Sequence, residues 1–139
     1  MAQTIGMSLG GSIQKFTFTD DDGTVVASFR LNPADVRLPG RVREAAEFFS
    51  EMANGIPENP TLEDLEKYNN AVEDKICHVL GYDARETLFS FLSATTILAD
   101  GETFAQKILK KIGDAAQPEI QKRKAALAAA VKKHTAKYE

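Results

Sequence analysis

The sequence predicts a mainly α-helical fold with an N-terminal β-hairpin followed by about five helices. Three observations carry this. Aromatic and polar residues alternate on either side of a glycine-bearing turn within residues 13–29. From Arg41 onward, apolar side chains recur at the three-to-four spacing of amphipathic helices. Between those runs stand Pro33, Pro39-Gly40, Gly55, Thr61, Gly81 and Pro118, residue types that start or stop helices.

The hairpin is the clearest local signal. Ile13-Gln14-Lys15-Phe16-Thr17-Phe18 places both phenylalanines on one face, and Val25, Ala27 and Phe29 form the returning strand with period two. Asp20-Asp21-Asp22-Gly23 between them is a turn, because glycine accepts positive φ without a side-chain clash. A lone hairpin is marginal in water, so its phenylalanine face must pack on helices or on another subunit.

Asn32-Pro33-Ala34-Asp35 ends the strand, since proline fixes φ and removes a donor. Asn32 is expected to cap a one-turn helix starting at Pro33. Pro39-Gly40 restarts the chain into a helix over about 41–54, with Val42, Ala45, Ala46, Phe49 and Met52 inward. Thr61 and Asp64 have capping-box spacing at the start of a helix over about 62–80, and Gly81 ends it. Its expected buried stripe is Leu62, Leu65, Tyr68, Val72, Ile76 and Val79. Asp83-Ala84-Arg85-Glu86 reads as another cap, before a short helix carrying Leu88, Phe89, Phe91 and Leu92, apolar on most sides and therefore expected in the core. A further helix is predicted over about 102–112, with Phe104, Ile108, Leu109 and Ile112 inward. Pro118 suits the first position of the last helix, about 118–137. That helix is rich in alanine and lysine, and its only large apolar residues before Tyr138 are Ile120, Leu127 and Val131. So polar a helix either projects from the body or zips to a partner.

These elements divide the 139 residues into a mobile N-terminus over 1–12, a hairpin-plus-helix body over 13–117 and a basic C-terminal helix over 118–139. The net charge of −3 conceals an asymmetry between them. Residues 1–117 hold 11 basic and 18 acidic side chains, a balance of −7, whereas residues 118–139 hold 6 and 2, a balance of +4. Opposite-sign ends favour head-to-tail association or contact of the tail with an acidic partner. No apolar run approaches the roughly 18 residues of a membrane span, and the N-terminus lacks the basic start and apolar stretch of a secretory signal. With a single cysteine, Cys77, the simplest setting is a reducing cytoplasm.

Motifs that would carry chemistry fail on inspection. Cys77 and His78 are adjacent, so on a helix they diverge by about 100° and do not converge on one ion. With His134 they are the only Cys and His residues, fewer than the four ligands of a structural zinc site. The Asp20–Gly23 turn lacks the closing glutamate of a calcium loop, because its twelfth position is Leu31. Glu58, Glu63, Asp64, Glu66, Glu73 and Asp74 read as the solvated face and first turn of a helix rather than an acid–base pair. No nucleophile–base spacing is present, so the chain reads as a non-enzyme without cofactor or metal. Lys122, Arg123, Lys124, Lys132 and Lys133 are the strongest charge feature, read either as an ordinary solvated helix face or as candidates for contacts with an acidic partner. Nucleic acid is the weaker choice, because the body is acidic and stacking aromatics are lacking nearby.

The order strand ending at Phe29, Asn32-Pro33-Ala34-Asp35, amphipathic helix with Arg41, then all helix resembles the tail assembly chaperones of long-tailed bacteriophages infecting Gram-positive hosts. Further parallels are Val79-Leu80-Gly81 ahead of Leu88-Phe89-Ser90-Phe91, Pro118-Glu119-Ile120 opening the last helix, and Thr135-Ala136-Lys137-Tyr138 near its end. The likeness spans roughly residues 14–138 and departs at Leu38-Pro39-Gly40 and at Leu80, where the family usually has phenylalanine. It implies a non-catalytic factor of the host cytoplasm, absent from the mature virion. Such a factor forms homo-oligomers, with a spiral or filament among the arrangements an open contact allows. It coats the tape measure protein, and a frameshifted longer product recruits the tail tube protein. On this reading Phe16, Phe18, Phe29, Phe48 and Phe49 are the candidates for self-association, with core packing as the competing assignment. The rival functions are a small regulatory or nucleic-acid-binding protein and a minor structural tail protein.

Overall fold

The computed structural model describes residues 3–7 and 13–136, with side chains through Lys133. The element order is β1 (Gln14–Thr19), β2 (Val25–Leu31), α1 (Leu38–Asn54), α2 (Leu62–Leu80), α3 (Arg85–Leu88) and α4 (Phe104–Ala136). The predicted mainly helical fold with an N-terminal hairpin is therefore present, with four helices among the described residues in place of about five. Most of the lead-in expected to be mobile (1–2 and 8–12) lies outside the described residues, as do Lys137 and Tyr138.

The hairpin pairs Phe16 with Phe29 and Phe18 with Ala27, and its register shifts by one residue between Phe18 and Thr19. Asp20 builds the turn: its carboxylate accepts from the backbone N–H of Asp22 at 2.9 Å and of Thr24 at 3.0 Å. Gly23 sits at φ 82°, the conformation that only glycine enters without strain. Along β2, Ala27, Phe29 and Leu31 are buried and alternate with exposed or half-buried neighbours. The outer edge of β2 is partly covered as well, because the Arg30 N–H donates to the Tyr82 hydroxyl at 2.7 Å.

Two turns, rather than the expected one-turn helix, follow the strand. Asn32 Oδ1 accepts from Ala34 N–H at 3.2 Å, and Asp35 Oδ1 accepts from Arg37 N–H at 3.0 Å. Helix α1 then begins at Leu38, three residues before the predicted start, with Pro39 and Gly40 inside its first turn. Proline is tolerated there because the first helical N–H groups have no partner to lose.

Local chemistry set both ends of α2 as predicted. Thr61 Oγ1 accepts from Asp64 N–H at 3.1 Å and Asp64 Oδ2 from Thr61 N–H at 3.0 Å. Gly81 closes it at φ 82° and donates to the Cys77 carbonyl at 2.9 Å. Its buried stripe is shorter than expected: Val72, Ile76 and Val79 are buried, but Leu62 is 72% and Leu65 46% exposed. The first turns of α2 run past the layer that covers its later ones.

The predicted core helix after Gly81 shrinks to the single turn α3. Leu88 is buried and Phe89 half-buried, but Phe91 is 72% exposed. The helices predicted over 102–112 and 118–137 form one 33-residue element, α4, with Pro118 inside it. A proline there costs one backbone hydrogen bond and crowds the preceding turn, about 3 kcal/mol in an exposed helix. Anchoring on both sides offsets that cost: Ile108, Ile112 and Ala116 are buried before it, and Ile120 packs on the core after it. The start of α4 holds a cap that the sequence reading missed. Thr103 N–H donates to Gln106 Oε1 at 2.8 Å, and Gln106 N–H to Thr103 Oγ1 at 3.2 Å, the reciprocal pattern of Thr-x-x-Gln.

Candidate interaction surfaces

The five phenylalanines assigned to association or core separate into two groups. Phe16 stacks on Phe29 with ring centroids 5.1 Å apart, Phe18 meets the edge of Phe104 at 5.1 Å, and Phe89 meets Phe104 at 6.0 Å. Phe29 and Phe104 are each 1% exposed, so the hairpin face is roofed by α4 and the residues after α3 within one chain. Edge-to-face and offset rings of this kind add about 0.5–1.5 kcal/mol per pair beyond their buried area. Phe48 and Phe49 lie elsewhere, half-buried on α1, and the Lys75 ammonium sits 5.3 Å from the Phe48 ring.

Phe49 borders an apolar groove of about 670 Å³ between α1, α2 and α4. Val42 and Ala46 on α1, Tyr68 and Val72 on α2, and Leu109 and Gly113 on α4 form its walls. Its charged borders are Lys110 and Asp114, both exposed. The apolar walls of such a trough suit an apolar side chain or the edge of a helix.

One carboxylate of the set read as a solvated face is buried instead. Glu73 is 9% exposed, and its Oε2 accepts from Asn69 Nδ2 at 2.6 Å and from the Ala94 N–H at 3.2 Å. Asn69 Oδ1 in turn accepts from both the backbone N–H and the hydroxyl of Thr95, at 3.0 Å and 2.9 Å. One face of α2 therefore clamps the segment that leads into α4. Glu73 Oε2 and Asn69 Oδ1 are thus each engaged by two protein donors.

Cys77 is half-buried and His78 exposed. Burial raises the Cys77 thiol above its ordinary value, which keeps it protonated and a poor nucleophile. Among the described residues no group of three or more His, Cys, Asp and Glu side chains could hold a metal ion. No helix of the described chain is long and apolar enough to cross a membrane.

The basic residues are all carried by α4. Every side chain from Gln121 to Lys133 is exposed, among them Lys122, Lys124, Lys132 and Lys133. Arg123, also exposed, makes a contact within its own chain: its Nη2 donates to the Ala34 carbonyl at 3.1 Å, so it anchors the helix to the junction after β2. Beside that contact, Pro33, Val36, Ile120 and Leu127 border a small apolar notch of about 170 Å³. Residues 121–133 as a whole carry five basic side chains, with Leu127 and Val131 also exposed.

The opposite sign is concentrated in an earlier stretch of the chain. Residues 44–66, from α1 through the turn into α2, hold seven acidic side chains and no basic one. Lys67 follows, paired to Glu63 at 3.3 Å. Two segments of the family resemblance also meet in space, since a Cβ added at Gly81 would lie 3.5 Å from Arg41 Nη1. The guanidinium thus stands at the C-terminal end of α2, where the helix dipole favours a cation.

Comparison with known protein families, with curated proteins and with solved structures found no match to this chain.

Proposed function

We propose that this chain is a tail assembly chaperone of a long-tailed bacteriophage or prophage, a non-catalytic factor acting in the host cytoplasm. It self-associates, coats the tape measure protein and keeps it soluble until tail tube subunits displace it. A longer frameshifted product of the same reading brings in the tube protein, and this chain is absent from the mature virion. The single observation that carries this reading is the exposed basic strip of α4, tied to the body through Arg123. A charged and sparsely apolar helix supplies a contact surface and no reacting group. The ordered resemblance around Asn32-Pro33-Ala34-Asp35 supplies the identity of the process. Co-expression with the tape measure protein tests it: the client should become soluble and co-purify.

The same strip favours one second reading, a small nucleic-acid-binding or regulatory protein. That reading requires DNA binding that weakens steeply with salt and is lost in the Lys122→Gln, Arg123→Gln, Lys124→Gln variant. A minor structural tail protein would instead be found in purified particles.

A further inference from the structure

We propose that the distal part of α4, residues 121–133, docks on the exposed first turns of α2 in a second copy of this chain. The contact is head-to-tail. It rests on the self-association part of the reading above and is independent of the client.

The acceptor is a helix face that is covered along only part of its length. Leu62, Leu65 and Asn69 share one side of α2 by their three-to-four spacing. At Asn69 that side is covered by Thr95. At Leu62 and Leu65, 72% and 46% exposed, the cover has ended. Two leucines on the outer turns of a helix are an apolar surface for a partner helix.

The donor has matching size and opposite charge. Leu127 and Val131, 61% and 64% exposed, lie four residues apart, with alanine at 128–130 between them. Alanine on a helix face lets a partner helix approach closely. Residues 121–133 carry five basic side chains, four of them besides the anchored Arg123, and no acidic one, against seven acidic and no basic at residues 44–66. Glu58, Glu63 and Glu66 lie close in sequence to the leucines of the acceptor, and Lys124, Lys132 and Lys133 to the apolar pair of the donor. Like-charged copies of either surface repel, so the favoured pairing is one donor on one acceptor. The two surfaces are different patches of one chain, and the contact is heterologous. Unless rotation closes a ring, each added copy leaves a free donor and a free acceptor.

The test is light scattering and sedimentation of the full chain over a range of concentration and salt. Mass should rise with concentration without stopping at a dimer. Raising salt from about 0.1 M to about 1 M shortens the screening length from about 10 Å to about 3 Å and should return the chain toward monomer. Lys132→Glu with Lys133→Glu, at exposed positions, should weaken association about tenfold or more. Leu62→Glu with Leu65→Glu should abolish extension from the other side. Circular dichroism and melting of each variant separate loss of contact from loss of fold. The decisive sample is the two variants mixed: each keeps one working surface, so they should form dimers that grow no further. A wild-type chain that stays monomeric at low salt overturns the proposal, and so does association that either variant leaves unchanged. If association behaves as stated while the tape measure protein stays insoluble, the chaperone reading fails and this contact stands.

Discussion

Arg123 donates from Nη2 to the carbonyl of Ala34, a hydrogen bond of 3.1 Å between residues 89 positions apart. It joins the Asn32-Pro33-Ala34-Asp35 turn to the final helix, so the strand-to-helix junction and the basic strip form one structural unit. A residue that composition marks as a partner contact is thereby fixed to its own chain. Arg123→Gln should lower stability by about 0.5–1.5 kcal/mol, as expected for one hydrogen bond. Urea denaturation measures that loss, and faster proteolysis near Pro33 would accompany it.

The clamp on α2 should be more sensitive than its polar character suggests. Glu73→Ala leaves the buried Ala94 N–H without its acceptor and should cost about 1–3 kcal/mol. Glu63→Ala, on the exposed side of the same helix, should change stability by less than about 0.5 kcal/mol. Paired denaturation curves check both.

The aromatic residues divide into core and surface by their expected costs. Phe29→Ala or Phe104→Ala, both fully buried, should lose about 3–5 kcal/mol. Phe48→Ala, half-buried beside Lys75, should lose clearly less in the same denaturation series.

Pro118→Ala should raise stability, because the helix already runs through this position and alanine restores its backbone donor. A gain of about 1–3 kcal/mol is expected, read as a higher melting temperature with unchanged helicity by circular dichroism.

Acid should destabilise the fold from below about pH 4. The Arg37 side chain holds the Asp35 carboxyl below its ordinary value of 3.8, hydrogen bonding by Thr61 does so for Asp64, and the Lys107 ammonium does so for Asp100. A carboxyl depressed on folding contributes stability above its unfolded pKa and loses it as pH falls through the folded one. Melting temperature should therefore be flat above about pH 5 on account of these groups and fall below about pH 4. Asp64→Asn should reduce that fall.

Where chemistry is local, the sequence was legible. The hairpin turn, the Thr61–Asp64 box and the Gly81 stop each depend on residues within a few positions of one another. What it hid depends on distant partners. Glu73 looked like surface because its backbone donor, Ala94, is 21 residues away. Leu62 and Leu65 continued a perfect apolar stripe, but a stripe carries no mark of where its covering layer ends. Pro118 reads as a helix start on propensity, and burial on both sides of it overrides that preference. At the candidate surfaces, the basic strip was legible from composition, whereas the groove and the anchoring of Arg123 needed the fold.

The most direct test of the proposed function is co-expression of this chain with the tape measure protein, with the soluble fraction of the latter measured. The account predicts that the tape measure protein moves into the soluble fraction and co-purifies with many copies of this chain, and that Lys124→Glu with Lys132→Glu and Lys133→Glu reduces the yield. A tape measure protein that remains insoluble, with none of this chain bound, would contradict it.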